Sequence, residues 1–121
     1  KILDVVVDIR KGSPTYGKVF SVELSAENKK QLLVPKGFAH GFAVLSETAE
    51  VLYKCDVLYH KPSELGILYA DPALQINWGV PVNQAIVSDK DKILPCLAEF
   101  DSPFEYELMV SVFGLDFMTY L

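Results

Sequence analysis

The chain has 121 residues, of which 50% are hydrophobic and 12% aromatic, and it carries a formal net charge of −5 with a pI near 4.9. This length and composition predict one folded domain with a buried core and argue against disorder. The acidic balance argues against a nucleic-acid or anionic-membrane partner, because either would require a basic face.

The two cysteines give no sign of a metal or redox motif. Cys55 and Cys96 are 41 positions apart in the chain, and two cysteines do not predict a disulfide framework. We expect both to be reduced core thiols of a cytoplasmic protein. The printed residues contain no signal-peptide pattern and no apolar run long enough to span a bilayer, so we expect no membrane partner.

The first part of the chain predicts antiparallel strands. Side chains alternate strictly along residues 1–10, which predicts a half-buried strand. One face carries Leu3, Val5, Val7 and Ile9, and the other carries Asp4, Val6, Asp8 and Arg10. Residues 11–15 form a turn by composition, residues 18–25 alternate again, and residues 26–30 make a charged turn. Short strands separated by turn clusters at this spacing are typical of an antiparallel sandwich or barrel.

The stretch from residue 32 to residue 60 is the centre of the predicted fold. A short apolar strand at 32–34 ends at Pro35-Lys36-Gly37, a turn by residue type, and His40 follows between two phenylalanines. Residues 50–59 predict a second strand, on which Val51, Tyr53, Cys55, Val57 and Tyr59 share one face. We therefore expect His40 and the two tyrosines to line a pocket inside a β-sandwich.

The remaining elements are shorter. Residues 67–69 and 76–78 predict brief β segments, and Ser88, with Asp91 three positions later, predicts a helix start that continues to Leu97. Residues 107–121 are strongly apolar and would form an exposed patch in water. They must pack on the sandwich, fill a subunit interface or be an extension, and the sequence leaves these three possibilities open.

The sequence PKGFAHGFAVLSETAEVLYK, at residues 35–54, closely resembles the signature region of the dTDP-4-dehydrorhamnose 3,5-epimerase family. The segments DVVVDIRKGSPTYGK, LSAENKKQL, ILYADPALQINW and SDKD are also similar and occur in the family's order. The resemblance covers residues 1–106 as one domain and leaves 107–121 without a counterpart. It implies an all-β, antiparallel jelly-roll or cupin-like sandwich, here incomplete, with a short C-terminal helix.

The resemblance also implies a function and a set of site residues. The family acts on a dTDP-sugar in dTDP-L-rhamnose biosynthesis, moving protons at the carbons beside a C4 ketone, and it needs no metal or organic cofactor. By resemblance Tyr53 is the proton donor and Asp91 the partner of the catalytic base. The substrate-binding positions are His40, Tyr59, which stacks on the thymine, Glu64, and Lys90 near the phosphates.

Each of these residues also has an ordinary structural interpretation. Tyr53 could be a buried tyrosine bonded to the backbone, and Tyr59 a common strand aromatic. Asp91 could simply cap the helix that Ser88 starts. Glu64 and Lys90 could be solvated surface charges, and His40 a hydrogen-bonded histidine of the sandwich.

A metal-binding cupin is a further alternative. The pattern Pro-x-Gly-x-x-His that ends at His40 is similar to the second metal motif of such cupins, where the histidine is a ligand. A metal site needs three or four ligands, however, and the chain offers only His40 and His60, with no His-x-His. The sequence therefore favours a site without metal.

One feature of the family pattern is missing from the printed residues. The family's base is a histidine in an Arg-Gly-x-His motif, followed by a lysine that holds the enolate oxygen, and both precede the strand with which Lys1 begins. We therefore expect the C-terminal two thirds of a longer protein, inactive alone, that forms a homodimer or higher homo-oligomer through its unpaired edges. The alternative is a non-catalytic nucleotide-sugar-binding or structural module.

Overall fold

The computed structural model describes residues 1–107, and these form an antiparallel sheet covered by irregular segments. Strands β1 (Ile2–Asp8), β2 (Val19–Leu24) and β3 (Phe38–Val44) lie in the order β2-β1-β3. Both neighbours of β1 run antiparallel to it. The strands predicted at 1–10 and at 18–25 are confirmed, as is the antiparallel all-β class. Strand β3, which follows the Pro35-Lys36-Gly37 turn, lies where no strand bounds were predicted.

The turn before β3 depends on Gly37. This residue has a φ of +89°, a conformation that side chains with a Cβ rarely adopt. A Cβ built at Gly37 would lie 2.5 Å from Cγ of Arg10, so the approach of the Arg10 side chain also requires glycine. The predicted turn is therefore confirmed, and it brings β3 alongside the end of β1.

The pairing register divides the sheet into two faces, because directly opposed residues point to the same side. Val7 is opposite Val19 and Ala39, whereas Asp4 is opposite Val22 and Phe42. We call the side that carries Val7 the packed face and the side that carries Asp4 the open face. The open face comprises Ile2, Asp4, Val6, Asp8, Phe20, Val22, Leu24, Phe38, His40, Phe42 and Val44.

The hydrophobic core lies against the packed face. Val7, Ile9 and Leu74 are its buried members. Around them pack Val19, Ala39, Ile67, Ile76, Leu97, Phe100 and Phe104, most of which come from the C-terminal half of the chain. Trp78 covers the same face at Gly41, where an added Cβ would lie 3.5 Å from the indole. The indole nitrogen donates to the Tyr69 carbonyl at 2.9 Å, which fixes the ring.

Asp8 anchors the end of β1. Its carboxylate is 1% exposed and accepts hydrogen bonds from the Arg10 side chain at 2.9 and 2.7 Å, and from Ser13 and Thr15 at 2.6 Å each. Burial raises the pKa of Asp8, but these donors together outweigh burial and hold the pKa well below its usual range. The cluster satisfies a buried charge and closes the turn between β1 and β2.

Several predicted elements were wrong. Residues 32–34, 50–59, 67–69 and 76–78 are not strands. The segment 50–59 has an alternating pattern, but a strand forms only with a hydrogen-bonded neighbour, and within residues 1–107 it has none. Cys55 therefore lies on this exposed segment and is not a core thiol. Cys96 is partly buried, and burial raises the pKa of its thiol.

Helical structure is short. Helix α1 (Asp89–Lys92) begins after Ser88 as predicted, since the Ser88 hydroxyl accepts from the Asp91 amide at 3.2 Å, but it ends well before Leu97. Between residues 1 and 107, 3-10 turns occur at Lys61–Ser63, Val82–Gln84 and Leu97–Glu99. No helix within the described part of the chain is long and apolar enough to cross a membrane. Most of the apolar segment predicted at 107–121 lies outside the described residues.

Candidate functional site

A buried carboxylate and a histidine meet on the open face. Nε2 of His40 lies 2.7 Å from Oδ1 of Asp4, although the two residues are 36 positions apart in the chain. The Asp4 side chain is 7% exposed and that of His40 30% exposed. The contact fixes the imidazole ring and occupies Nε2, which leaves Nδ1 as the ring nitrogen available to a ligand.

The register of the sheet explains this pair. His40 is opposite Val6, and Asp4 lies two residues before Val6 on the same face. The two side chains are thus diagonal neighbours on adjacent antiparallel strands, a distance that long side chains can bridge. Asp4 is a site residue that sequence reasoning missed. The signal available was a carboxylate that lies between the apolar residues Ile2 and Val6 on one face of the strand.

Three of the predicted substrate-binding residues come together away from the sheet. The Tyr59 hydroxyl donates to Oε2 of Glu64 at 3.0 Å, and the Lys90 ammonium binds the other oxygen of the same carboxylate. Lys90 is 26 positions from Glu64, so the contact joins helix α1 to the residue that follows the 3-10 turn at Lys61–Ser63. We call Tyr59, Glu64 and Lys90 the tyrosine–lysine cluster.

The charges in the tyrosine–lysine cluster stabilise one another. Hydrogen bonds from Lys90 and then Tyr59 lower the pKa of Glu64, and the bond to Glu64 raises the pKa of Lys90 and of the Tyr59 phenol. Near neutral pH the cluster therefore contains a carboxylate, an ammonium and a neutral phenol. All three groups are reachable from solvent, and Tyr59 is 77% exposed.

Asp91 follows Lys90 on helix α1 and has the capping geometry that the sequence allowed. Its Oδ2 accepts from the Ser88 hydroxyl at 2.7 Å, and its amide donates to the Ser88 side chain. Its negative charge also contributes to the raised pKa of Lys90. The capping interpretation of Asp91 is confirmed, whereas its predicted pairing with a catalytic base stays a prediction.

Tyr53 lies on the segment predicted as a strand and is 70% exposed. Within residues 1–107, no hydrogen bond or ion pair joins it to His40 or to Asp91. The alternative of a buried tyrosine bonded to the backbone is therefore wrong for this chain. The convergence of Tyr53, His40 and Asp91 in one cleft stays a prediction.

The described residues contain no group of three or more His, Cys, Asp or Glu side chains arranged to hold a metal ion. His60, the second histidine, has its Nδ1 2.7 Å from the Ser63 hydroxyl at the start of a 3-10 turn. It does not meet His40 in an ion pair or hydrogen bond.

The chain is similar in sequence to known epimerases over most of its described length. The family model for dTDP-4-dehydrorhamnose 3,5-epimerase matches residues 1–99. The dTDP-4-dehydrorhamnose 3,5-epimerase of Shigella flexneri is 55% identical over 91 residues, which are 75% of this chain and 49% of that protein. The Salmonella typhimurium enzyme of the same name is 52% identical over 98 residues, 80% of this chain and 52% of its own.

Solved structures agree with this likeness. The chain is similar to dTDP-6-deoxy-D-glucose-3,5-epimerase from Legionella pneumophila in complex with dTDP-4-keto-L-rhamnose, with a TM-score of 0.82, 47% identity, and coverage of 88% of this chain and 57% of that one. The Bacillus anthracis enzyme with TDP and PPi bound gives a TM-score of 0.69 at 47% identity, covering 78% and 53%.

These structures confirm the predicted cupin-like antiparallel fold. The chain spans about half the length of the curated relatives it matches. Its family model covers most of the described residues, and the relatives are well above the identity at which a common fold is in doubt. The chain therefore belongs to the dTDP-4-dehydrorhamnose 3,5-epimerase family.

Proposed function

We propose that this chain supplies the nucleotide platform and the proton donor of a 3,5-epimerase that acts on dTDP-4-dehydro-6-deoxy-D-glucose. The observation that carries the proposal is the tyrosine–lysine cluster. An aromatic ring and a carboxylate from residues 59–64 meet an ammonium from helix α1, and all three groups are open to a ligand. Such an arrangement can recognise a nucleotide, because the aromatic ring can stack on the nucleobase and the ammonium can bind a phosphate.

Within the cluster each residue has a distinct role. The ring of Tyr59 stacks on the thymine, a contact worth about 1–3 kcal/mol per base. Glu64 holds that ring through its hydroxyl and holds the Lys90 ammonium with its other oxygen. Lys90, whose raised pKa keeps it charged, attracts the diphosphate.

The chemical step requires a general acid on one side of the sugar and a polar group that orients the sugar. Tyr53 returns a proton to the carbon beside the ketone, since a phenol is a suitable acid towards an enolate. His40, fixed by Asp4 through Nε2, contacts the sugar with its remaining nitrogen. Asp91 orients the imidazole of a base, which the printed sequence does not contain in an Arg-Gly-x-His context.

Titration of the 121-residue chain with dTDP tests the platform. We expect Tyr59→Ala to weaken binding by roughly 5-fold to 150-fold, the range that loss of one stacked base implies. Tyr59→Phe keeps the ring face and loses only the bond to Glu64, so its effect should be several-fold smaller. Lys90→Ala should weaken binding. Lys92→Ala is the matched control, because Lys92 lies on the same helix but pairs with Asp89. Equal effects of the two lysine variants would contradict the platform.

Solvent exchange in a chimera tests the chemistry. Residues 1–99 of this chain replace the matching half of the Shigella flexneri enzyme, and the chimera receives the nucleotide sugar in heavy water. We expect deuterium at C3 and C5, and a rate about 10²–10⁴ lower in Tyr53→Phe, the loss typical of a missing general acid. Tyr16→Phe serves as the control. A folded chimera without exchange would overturn the catalytic role.

A non-catalytic binding module is the second candidate, because the tyrosine–lysine cluster offers a ring and a charged group to a nucleotide without requiring any proton transfer. It predicts that dTDP binds this chain normally and that the chimera gives no exchange. Failure of both binding and exchange would leave a shared fold without this function. The two experiments together therefore separate the enzyme, the module and a structural relative.

Self-association is also part of the proposal. The outer edges of β2 and β3 have no strand partner within residues 1–107, and unpaired edges favour pairing with another chain. Copies of this chain should therefore form dimers or larger homo-oligomers through strand edges. Sedimentation velocity across a concentration series checks this, and a single monomer species at every concentration would contradict it.

A further inference from the structure

Asp71 is a buried carboxylate to which the proposed function gives no role. It is 5% exposed, and each of its oxygens accepts a hydrogen bond from a backbone amide. Oδ1 accepts from Ala73 at 2.9 Å, which is a local contact, whereas Oδ2 accepts at 2.7 Å from Leu97, 26 positions further along the chain. A buried carboxylate needs such donors, so the long-range contact fixes residue 97 to residue 71.

Two more contacts hold residues 94–97, which we call the strap. The Leu68 amide donates to the Pro95 carbonyl at 2.8 Å. The Gly66 backbone lies directly against the Leu94 side chain, since a Cβ added at Gly66 would be 2.8 Å from Cδ1 of Leu94. Together with the carboxylate contact, these pairs follow one another in the same chain direction. The strap therefore runs parallel to the segment it contacts and is held at three points.

Both of these segments lead directly to the tyrosine–lysine cluster. Glu64 lies two positions before Gly66, and Lys90, on helix α1, lies four positions before Leu94. The ion pair between Glu64 and Lys90 thus continues the same parallel order of contacts. Because so few residues separate each charge from the strap contacts, a shift of the strap moves the Lys90 ammonium relative to the Glu64 carboxylate.

The strap is the rigid part of this arrangement, and the ion pair is the weak part. Ile67 and Leu97 pack against the hydrophobic core, which fixes the two segments where they meet. An ion pair between two long side chains outside the core holds its own geometry poorly, because it must order both side chains for a small gain. The position of Lys90 is therefore set by the strap rather than by the ion pair.

We propose that Asp71 is a positioning residue for nucleotide binding, which acts through the strap to keep helix α1 where Lys90 meets Glu64. The inference rests on the proposed function of the tyrosine–lysine cluster, although its effect on Lys90 requires no nucleotide. Asp71 does not touch the ligand. Its loss leaves the cluster residues in the chain but lowers the fraction of molecules in which they are assembled, and the apparent affinity falls by the same factor.

Competitive acetylation of lysines in the 121-residue chain tests this, with each site quantified by tandem mass spectrometry. The contact with Glu64 raises the pKa of Lys90 and slows its acetylation, and Lys92 on the same helix is the internal reference. Asp71→Asn replaces one acceptor oxygen by an NH2 group, which cannot accept from an amide. We expect the Lys90 rate relative to Lys92 to rise about two- to five-fold, as in Glu64→Gln. Asp101→Asn, which removes an exposed carboxylate elsewhere, should leave the ratio unchanged.

A compensating pair of variants separates positioning from a general loss of stability. Gly66→Ala places a methyl group against Leu94 and should raise the acetylation ratio by displacing the strap. Adding Leu94→Ala makes room for that methyl group and should restore the ratio, which a second destabilising change would not do. Trp78 emission checks that each variant is folded. If Asp71→Asn does not fold, Gly66→Ala decides the question: an unchanged ratio in the folded variant overturns the inference.

Titration with dTDP connects the strap to binding. Asp71→Asn should weaken dTDP binding about two- to five-fold in the original chain and should add nothing in a Lys90→Ala background, because it acts through that lysine. A folded Asp71→Asn chain with an unchanged acetylation ratio, or a full further loss of affinity in the Lys90→Ala background, overturns the inference. If the original chain does not bind dTDP, the proposed function fails, while the acetylation ratio still decides whether Asp71 positions Lys90.

Discussion

The two faces of the three-stranded sheet are built from the same strands, yet within residues 1–107 only one of them is covered by other segments of the chain. On the packed face Val7, Val19 and Ala39 are small and lie under side chains delivered from residues 67–104. On the open face phenylalanines and a histidine replace them, and the flanking strands stay exposed. Within residues 1–107 the hydrophobic core therefore lies on the packed face, while the flanking side chains of the open face stay in contact with solvent.

The central strand refines this comparison, because its open-face residues are buried even though the face is not covered. Asp4 and Val6 are 5% and 7% exposed, and Asp8 is 1% exposed. Flanking side chains shield β1 from both sides, so charges on it must be satisfied locally. Asp8 receives four side-chain donors, whereas Asp4 receives one from His40. The two carboxylates on this face of β1 therefore differ in role: Asp8 anchors the end of the strand, and Asp4 holds the His40 ring.

The largest expected effect on stability is that of a new carboxylate on the packed face, compared with the same substitution on the open face. Val7→Asp buries an unpaired carboxylate in the core and should lower the free energy of unfolding by about 4 kcal/mol or more. Val44→Asp, at a site 44% exposed on the open face, should change it by less than about 1 kcal/mol. Urea denaturation followed by Trp78 fluorescence measures both. Similar losses for the two variants would show that the open face is also part of the core.

The sequence predicted the sheet well because its strands obey local rules. Residues 1–10 and 18–25 alternate strictly, and Gly37 sits where a positive φ is required. Ser88 could be identified as a cap from its residue type and the spacing to Asp91. These features depend on neighbours within a few positions, which is the range that a single sequence reveals.

The failures concern contacts between distant segments. Residues 50–59 have the pattern of a strand, but pattern does not supply the hydrogen-bonded neighbour that a strand needs. Tyr59, Glu64 and Lys90 were named from resemblance, while their joining through one carboxylate depends on a contact between residues 26 positions apart. Asp4 was missed because its partner, His40, becomes a diagonal neighbour only once the register is known.

Asp8→Asn should have the next largest effect on stability. The substitution leaves the Arg10 guanidinium, 25% exposed, without its carboxylate and disturbs the donors Ser13 and Thr15. Breaking a largely buried pair costs about 3–5 kcal/mol, and partial exposure of Arg10 places the expectation near the lower value. Asp101→Asn removes an exposed carboxylate from Lys11 and should leave the free energy of unfolding almost unchanged. Equal losses of unfolding free energy in Asp8→Asn and Asp101→Asn, measured by urea denaturation, would contradict the stronger role given to the buried pair.

The same carboxylate sets the acid response of the fold. The pKa of Asp8 is lowered in the folded chain, so its stabilising contribution is fully present above the ordinary aspartate pKa of about 3.9 and is lost as pH falls through the lower folded value. The free energy of unfolding should therefore decline below about pH 4 in the original chain, with a smaller decline in Asp8→Asn. Denaturant titrations between pH 7 and pH 2 measure this. Parallel curves for the two proteins would contradict the assignment.

The smallest expected effect on stability is that of Asp4→Asn, although Asp4 is nearly as buried as Asp8. The amide oxygen can still accept from Nε2 of His40, so the hydrogen bond survives and only its charge assistance is lost, which is worth about 1 kcal/mol. His40→Ala is the companion variant, because it removes the only side-chain partner described for Asp4 and leaves the carboxylate buried. It should cost more than Asp4→Asn, and the two are compared in the same urea series. If Asp4→Asn lowered the free energy of unfolding as much as Asp8→Asn does, both carboxylates would anchor strand β1. The role of Asp4 would then not be limited to holding His40.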